Sequence, residues 1–374
     1  MSPSYPYAVY LDSKIHGAGF QLSTYFRTGV FDPDRTIIYL KKYKRSFGVF
    51  RRLFSAQGLT FQCMKSSDLD RLEDQTVFYL FNAQSNCRLV ANRRLKHVFV
   101  THGESNKVSS IKPITRIYDH VAMAGYLSLQ RYYRSGHFEP HDYGAKRLIM
   151  TGDTFIGRTG LAQKAGRRVL FYAPTWEGGV PIENYSSLGS PRVLSVLRHF
   201  AGLAGVSDVL IKPHPNLGHR LGMYTEHLLS LAYGLRREGF KVFLHRNNIR
   251  LSVLQRMRLA ATGVESADRL EAFQAAHALI DVSAMETQCV NERIPYHVLS
   301  SNMESLERYT APEHWRLYRQ IAVRMDGSDS VLPDSLGGGV AEDFRSRLIS
   351  YSDPAWRDQS PGQRLRGFLE YVAA

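Results

Sequence analysis

Val169-Leu170-Phe171-Tyr172-Ala173, closed by Pro174-Thr175-Trp176, is an unbroken apolar run of strand length that ends at a proline. A strand with one wet face alternates apolar and polar residues. A run without alternation is covered on both faces, as in a parallel sheet flanked by helices. The pattern repeats outward from this stretch. Toward the C-terminus come Val209-Leu210-Ile211, Val242-Phe243-Leu244 and Leu279-Ile280-Asp281-Val282. Toward the N-terminus come Leu148-Ile149-Met150, Val98-Phe99-Val100, Val77-Phe78-Tyr79-Leu80-Phe81, Thr36-Ile37-Ile38-Tyr39-Leu40 and Ala8-Val9-Tyr10-Leu11. Between them lie apolar residues at helical spacing, such as Leu228, Leu229, Ala232 and Leu235. Strand and helix in alternation predict an α/β chain of doubly wound, Rossmann-like domains. His137, Pro140, His141 and Gly144 interrupt the pattern near 125–147, which predicts domains over 1–140 and 141–350. The tail, 351–374, carries Leu365, Phe368, Leu369 and Val372 and reads as an amphipathic helix packed on the body. Two such domains would leave a cleft faced by the loops at the strands' C-terminal ends.

At 374 residues the chain is long enough for two cores, and 44% hydrophobic with 22% charged residues is a globular composition. No apolar run approaches the roughly 20 residues of a bilayer span. Met1-Ser-Pro-Ser-Tyr-Pro-Tyr lacks a charged region followed by an apolar stretch, so the reading is cytoplasmic. Cys63, Cys87 and Cys289 are widely separated and imply neither a disulfide framework nor a zinc site. With 48 Lys and Arg against 34 Asp and Glu, the net charge of +14 favours an anionic partner. Lys41-Lys42-Tyr43-Lys44-Arg45 leads into Phe47, Phe50 and Phe54 at helical spacing. That 41–54 segment reads either as a basic amphipathic helix resting on anionic lipid at the inner face of the plasma membrane, or as a surface helix with its aromatics in the core. Nucleic acid is disfavoured as the partner, because no zinc-finger spacing, RNP-type aromatic motif or Gly-x-x-Gly loop is present. A P-loop kinase is disfavoured too, since GxxxxGK[ST] is missing.

Four strand ends carry chemistry. His102-Gly103-Glu104-Ser105-Asn106-Lys107 follows Val98-Phe99-Val100-Thr101. His102 there suits a general base, and Gly103, Ser105 and Lys107 suit an anion, while the alternative is a polar loop with a structural histidine. Thr175 and Trp176, followed by Glu177-Gly178-Gly179, offer a hydroxyl, an aromatic wall and close backbone approach, or merely a core lid. Lys212-Pro213-His214-Pro215 fixes a cation and an imidazole, which suits a diphosphate or an ordinary turn. Asp281-Val282-Ser283-Ala284-Met285-Glu286 fits a capping box between Ser283 and Glu286, and a helix start after a buried strand also receives phosphate.

Taken in order, His-Gly-x-Ser-x-Lys, Tyr-Ala-Pro-Thr-Trp and Lys-Pro-His-Pro resemble the CDP-glycerol glycerophosphotransferases, which include teichoic-acid and capsule polymerases. The resemblance covers roughly 95–300, with Tyr-Ala-Pro-Thr-Trp its most specific element. It implies a GT-B arrangement, with an acceptor-side domain first and a nucleotide-donor domain second. It further implies metal-independent transfer, no cofactor, and a cell-surface polymer or lipid-linked acceptor. His102 matches the family's acceptor base and His214 the histidine on the donor's phosphates. Thr175, Trp176, Lys212, Asp281, Ser283, Ala284 and Glu286 fall on the donor side. The chain departs from the family at Ala284, where a second serine is usual, and at Glu177, where arginine is frequent. The expected donor is thus CDP-linked or another nucleotide diphosphate. An inverting glycosyltransferase using a nucleotide sugar is the alternative.

Overall fold

The computed structural model describes residues 5–44, 46–101, 104–246, 249, 251–326, 331–337 and 342–373. It divides into two compact units, the first holding Met1–Glu104, Ile111–Gly157 and Ser346–Ala374, the second Ser105–Ser110 and Arg158–Arg345.

The first unit is built on β1 (Tyr7–Leu11), β2 (Thr36–Lys41), β3 (Phe61–Met64), β4 (Thr76–Tyr79), β5 (Lys96–Phe99), β6 (His120–Met123) and β7 (Leu148–Met150). These form one seven-stranded sheet in the order β3-β2-β1-β4-β5-β6-β7. The pairs are parallel throughout; Val9 faces Ile38 on one side and Phe78 on the other. Leu148–Met150 closes this sheet by pairing with β6, although its place in the sequence groups it with the later strands. The core is rich in aromatics, among them Phe26, Phe31, Phe50, Phe54, Phe78, Phe155 and Trp356.

That core decides between the two readings of 41–54. In the helix Phe47–Ala56, Phe50 and Phe54 are 1% and 0% exposed, and their rings stack 5.9 Å apart. Phe50 lies so close to Gly19 that a Cβ there would meet its ring at 2.5 Å. The apolar face is therefore spent on the core, and the segment keeps only its cations for any anionic surface. The C-terminal helix Pro361–Ala373 buries Leu365 and Phe368 in the same core.

The second unit contains β8 (Arg167–Ala173), β9 (Asp208–Ile211), β10 (Lys241–Leu244), β11 (Glu265–Ser266), β12 (Phe273–Asp281), β13 (Tyr296–Ser300) and β14 (Ala322–Arg324). They make a second seven-stranded parallel sheet, ordered β11-β10-β9-β8-β12-β13-β14. The apolar run Val169–Ala173 lies in β8, the strand where the winding reverses. From β8 the chain builds outward through β9, β10 and β11, then returns to β12 on the other side. The α/β class and two doubly wound parallel sheets are thus as the pattern of apolar runs predicts. Here the core is mainly aliphatic, with Leu170, Val196, Leu197, Val209, Leu228 and Leu279 fully buried. Among the described residues no helix is long and apolar enough to cross a membrane.

Candidate functional site

In a doubly wound sheet, loops diverge where the strand order reverses, so a crevice opens at the C-terminal ends of the two strands there. In the second unit those strands are β8 and β12. Pro174-Thr175-Trp176 leaves β8 and Val282-Ser283 leaves β12. The two ends are stitched together: the Thr175 backbone N–H donates to Asp281 Oδ2 at 2.7 Å. The Ser187 N–H donates to the same oxygen at 3.1 Å. Burial raises the Asp281 carboxyl to about 7, with the Ser187 and Thr175 hydrogen bonds and the Lys107 ammonium pulling the other way. Its other oxygen, Oδ1, is buried and has no hydrogen-bond partner among the described residues.

Lys107 completes a buried chain. Its Nζ donates to Thr175 Oγ1 at 2.7 Å and lies 5.7 Å from the centre of the Tyr185 ring. Burial lowers its pKa to about 8, opposed by the Asp281 and Glu183 carboxylates. Lys107, Thr175 and Asp281 are 8%, 2% and 0% exposed. Thr175 thus joins the ammonium, through its hydroxyl, to the carboxyl, through its backbone N–H, at the reversal of the sheet.

A half-buried layer accompanies that chain. The His214 N–H donates to the Pro174 carbonyl at 3.0 Å, which fixes the Lys-Pro-His-Pro turn beside the end of β8. Trp176 and His214 stack with centroids 5.9 Å apart and planes 16° from parallel. The Asn216 N–H donates to His214 Nδ1 at 3.1 Å, so the neutral ring carries its proton on Nε2 and offers it as a donor. Ser283 is half-buried, its Oγ accepting from the Met285 N–H at 3.3 Å.

Other expected site residues serve elsewhere. Lys212 Nζ donates to the Thr159 carbonyl at 2.7 Å, and burial lowers its pKa to about 8. Glu286 forms no capping box: the helix Met285–Asn291 starts from Ala284 with no side-chain cap. Instead Glu286 is buried and accepts from Tyr296 at 3.1 Å, Tyr318 at 3.0 Å and Asn106 at 3.2 Å. The Ser105 hydroxyl sits 2.9 Å from Ser110 Oγ and accepts from the Lys107 N–H at 3.4 Å, which shapes the turn that aims Lys107. His102 and Gly103 lie outside the described residues.

Glu177, met in the sequence only as a departure, organises the neighbouring loop. It is fully buried, and its carboxylate accepts from the N–H groups of Gly218 at 3.0 Å, Arg220 at 2.7 Å and Leu221 at 2.8 Å. Arg220 returns bonds to the carbonyls of Glu177 at 2.7 Å and Gly178 at 2.8 Å. Gly178 adopts φ +70°, and a Cβ there would meet the Glu183 carbonyl oxygen at 2.6 Å. The loop lines a pocket of about 210 Å³ with Pro215, Leu217, Gly218, His219, Gly222, Thr225 and Gln255; neither Lys107 nor Thr175 borders it.

In the first unit the winding reverses between β1 and β4. Asn82 follows β4 by three residues, and both atoms of its side-chain amide are buried without a partner among the described residues. Thr101, immediately before His102, holds φ +56°, a conformation that a β-branched residue rarely adopts. Glu104, just beyond, is buried; it accepts from the Ala124 N–H at 2.7 Å and pairs with buried Arg131 at 3.1 Å. Asn82 was legible on the same grounds as His102, a polar residue just past an apolar run. Among the described residues no group of three or more His, Cys, Asp or Glu could hold a metal ion.

No protein-family model and no curated protein sequence matches this chain. Several solved structures are similar in shape. One, from Listeria monocytogenes and assigned as a UDP-N-acetylglucosamine 2-epimerase, is 8% identical, with 99% of this chain and 96% of that chain covered and a TM-score of 0.48. A UDP-glucosyltransferase from Polygonum tinctorium is 11% identical, covers 100% of both chains and has a TM-score of 0.48. The S. aureus protein MnaA, in a co-structure with UDP, is 9% identical over 98% of this chain and 96% of that one, with a TM-score of 0.45. Identity this low gives no residue a role.

Proposed function

We propose that this chain is a transferase of the GT-B class that takes a nucleotide diphosphate donor on its second unit and moves a sugar to an acceptor hydroxyl. The observation that carries the reading is the Lys107–Thr175–Asp281 chain, set with the Trp176–His214 stack where the second sheet reverses. A nucleotide diphosphate brings a flat base, ribose hydroxyls and two charged phosphates. The Trp176–His214 stack supplies an aromatic face, Asp281 and Ser283 suit hydroxyls, and Lys107 with His214 Nε2–H suits the phosphates.

Two residues favour a sugar over glycerol phosphate. Where the glycerophosphotransferase pattern often has arginine, Glu177 stands with its carboxylate committed to three loop amides. Where a second serine is usual, Ala284 has no hydroxyl. Both changes remove groups that would hold a phosphoryl unit. Glycerol-phosphate transfer from a CDP-linked donor is the second reading, favoured by the intact Tyr172–Trp176 and Lys212–Pro215 motifs.

In the proposed reaction the acceptor O–H gives its proton to His102 while its oxygen bonds to the anomeric carbon. The bond from that carbon to the donor's phosphate oxygen breaks, and the nucleoside diphosphate leaves toward Lys107 and His214. In the second reading the same oxygen attacks phosphorus and CMP leaves. The acceptor class is a surface polymer or a lipid-linked hydroxyl compound.

Thermal shift and calorimetry with UDP, UDP-sugars, GDP, ADP, CDP and CDP-glycerol test the reading. Stabilisation by a nucleotide sugar, lost in Lys107→Met and His214→Ala, supports it. Selective stabilisation by CDP-glycerol installs the second reading, and no stabilisation by any nucleotide overturns both. His102→Ala is expected to lower turnover by about 10²–10⁴-fold with donor binding unchanged.

A further inference from the structure

The helix Val253–Ala261 turns its apolar side outward. Of its residues only Leu259 is buried. Val253, Leu254 and Met257 are 70%, 68% and 63% exposed. At about 100° per residue, these three fall with Ala260 and Ala261 in an arc of roughly 120° facing away from Leu259. Arg256 marks one edge of the arc and Arg258 the other, and both are exposed.

The helix is well formed, so the exposure is not a frayed end. Ser252 Oγ accepts from the Gln255 N–H at 3.2 Å, and Gln255 Oε1 accepts from the Ser252 N–H at 2.8 Å. Gln255 Nε2 also donates to Glu226 Oε1 at 2.6 Å, tying it to the helix Met223–Arg237. One exposed leucine calls for no explanation, but a contiguous stripe on an ordered helix marks a contact surface.

Charge identifies what the stripe meets. From Gly239 to Val264 the sequence contains Lys241, Arg246, Arg250, Arg256 and Arg258 and no Asp or Glu. A second copy of this chain would set those cations against one another. An anionic lipid surface satisfies both features at once. Apolar side chains enter the boundary between headgroups and acyl chains, and the flanking guanidinium groups reach the phosphates. The 41–54 segment has its two innermost aromatics, Phe50 and Phe54, in the first core, and none of its large apolar side chains is as exposed as Val253, Leu254 and Met257.

We propose that the exposed Val253–Leu254–Met257 stripe, edged by Arg256 and Arg258, seats the second unit on an anionic lipid bilayer. The inference is independent of the donor. Co-sedimentation of the full chain with vesicles of phosphatidylcholine, with and without phosphatidylglycerol, tests it. The chain is expected to pellet with the phosphatidylglycerol vesicles and to be released by high salt. The triple variant Val253→Ser, Leu254→Ser, Met257→Ser is expected to bind these vesicles on the order of 100-fold more weakly. Its melting temperature should hold, because the three side chains are exposed in the folded unit. The pair Arg256→Glu and Arg258→Glu is expected to weaken binding roughly tenfold or more. Failure to bind phosphatidylglycerol vesicles overturns the proposal, as does unchanged binding by the triple variant. A dimer abolished by the triple variant, with no vesicle binding, assigns the stripe to self-association and overturns it equally.

Discussion

The two sheets match in strand number and parallel sense, yet their reversal points differ in how far buried polar groups are paired. In the second unit the loop leaving β8 is closed by hydrogen bonds: both oxygens of Glu177 are engaged, and Asp281 holds two amides on one oxygen. In the first unit Asn82 buries an amide with neither atom bonded among the described residues, and Thr101 sits at φ +56°. A satisfied buried group contributes stability, whereas an unsatisfied one costs it. The second reversal point leaves Asp281 Oδ1 unpaired among the described residues but ties its loops with five hydrogen bonds to Glu177 and Asp281. The first keeps an unpaired amide at Asn82 and backbone strain at Thr101.

Glu177→Ala is the substitution with the largest expected effect. It leaves a buried cavity where Glu177 stood and strands three half-buried amides, so urea unfolding should show a loss of about 3–5 kcal/mol. Asn82→Ala removes an amide that bonds to none of the described residues, and the same measurement should change by less than about 1 kcal/mol, with stabilisation the favoured sign. Equal losses in the two variants would break the contrast.

Acid separates the units next. His277 Nε2 lies 2.8 Å from His297 Nδ1, and Phe200 stacks on His277 at 5.7 Å and tilts against His297 at 4.7 Å. Burial, reinforced by its partner, lowers His277 to about 3, and burial lowers His297 to about 4. Below about pH 6.5 the unfolded chain takes up two protons that the folded second unit refuses. Each histidine therefore removes stability as pH falls from 6.5 toward 4, by up to about 1.4 kcal/mol per pH unit, while Asp281, raised to about 7, takes up a proton in the folded unit and offsets one of the two. Denaturant midpoints across that range check the slope, and His277→Gln should flatten it.

Much of this was legible in the sequence, and the exceptions have physical causes. Parallel pairing follows from runs such as Val169–Ala173, which leave no face for water. Thr175, His214 and Asp281 are recognisable because each stands just past such a run. The Lys107–Thr175 bond is not, since 68 residues separate its ends and no local pattern pairs them. Glu286 misled because Ser-x-x-Glu is a local signal. The hydroxyls of Tyr296 and Tyr318 competed for the same carboxylate and won. Nothing local marks Val253 and Met257 as exposed, and only the packing of Leu259 shows which way their helix is turned.

Lys107 sharpens the contrast through binding. Its ammonium, lowered to about 8, is the buried cation beside Thr175. Raising the pH through 8 removes that charge, so affinity for a nucleotide diphosphate should fall by about tenfold between pH 7 and 9. Lys107→Met should bind weakly at both values and lose the dependence. A pH-independent affinity in the wild type would remove Lys107 from the donor site.

The smallest expected effect compares two serines of the second unit, each standing before a helix. Ser252 caps its helix through the Gln255 N–H, so Ser252→Ala should cost about 1 kcal/mol in unfolding and leave nucleotide affinity alone. Ser283 Oγ takes only the Met285 N–H, at a long 3.3 Å, so Ser283→Ala should cost less in unfolding than Ser252→Ala, about 0.5 kcal/mol. If its hydroxyl serves the donor, the same variant should weaken nucleotide binding several-fold, in line with about 1 kcal/mol for one hydrogen bond. Loss of affinity without loss of stability at Ser283, and the reverse at Ser252, would separate a binding hydroxyl from a folding one within the same sheet. A stability loss at Ser283 equal to that at Ser252 would return it to the role that its sequence first suggests.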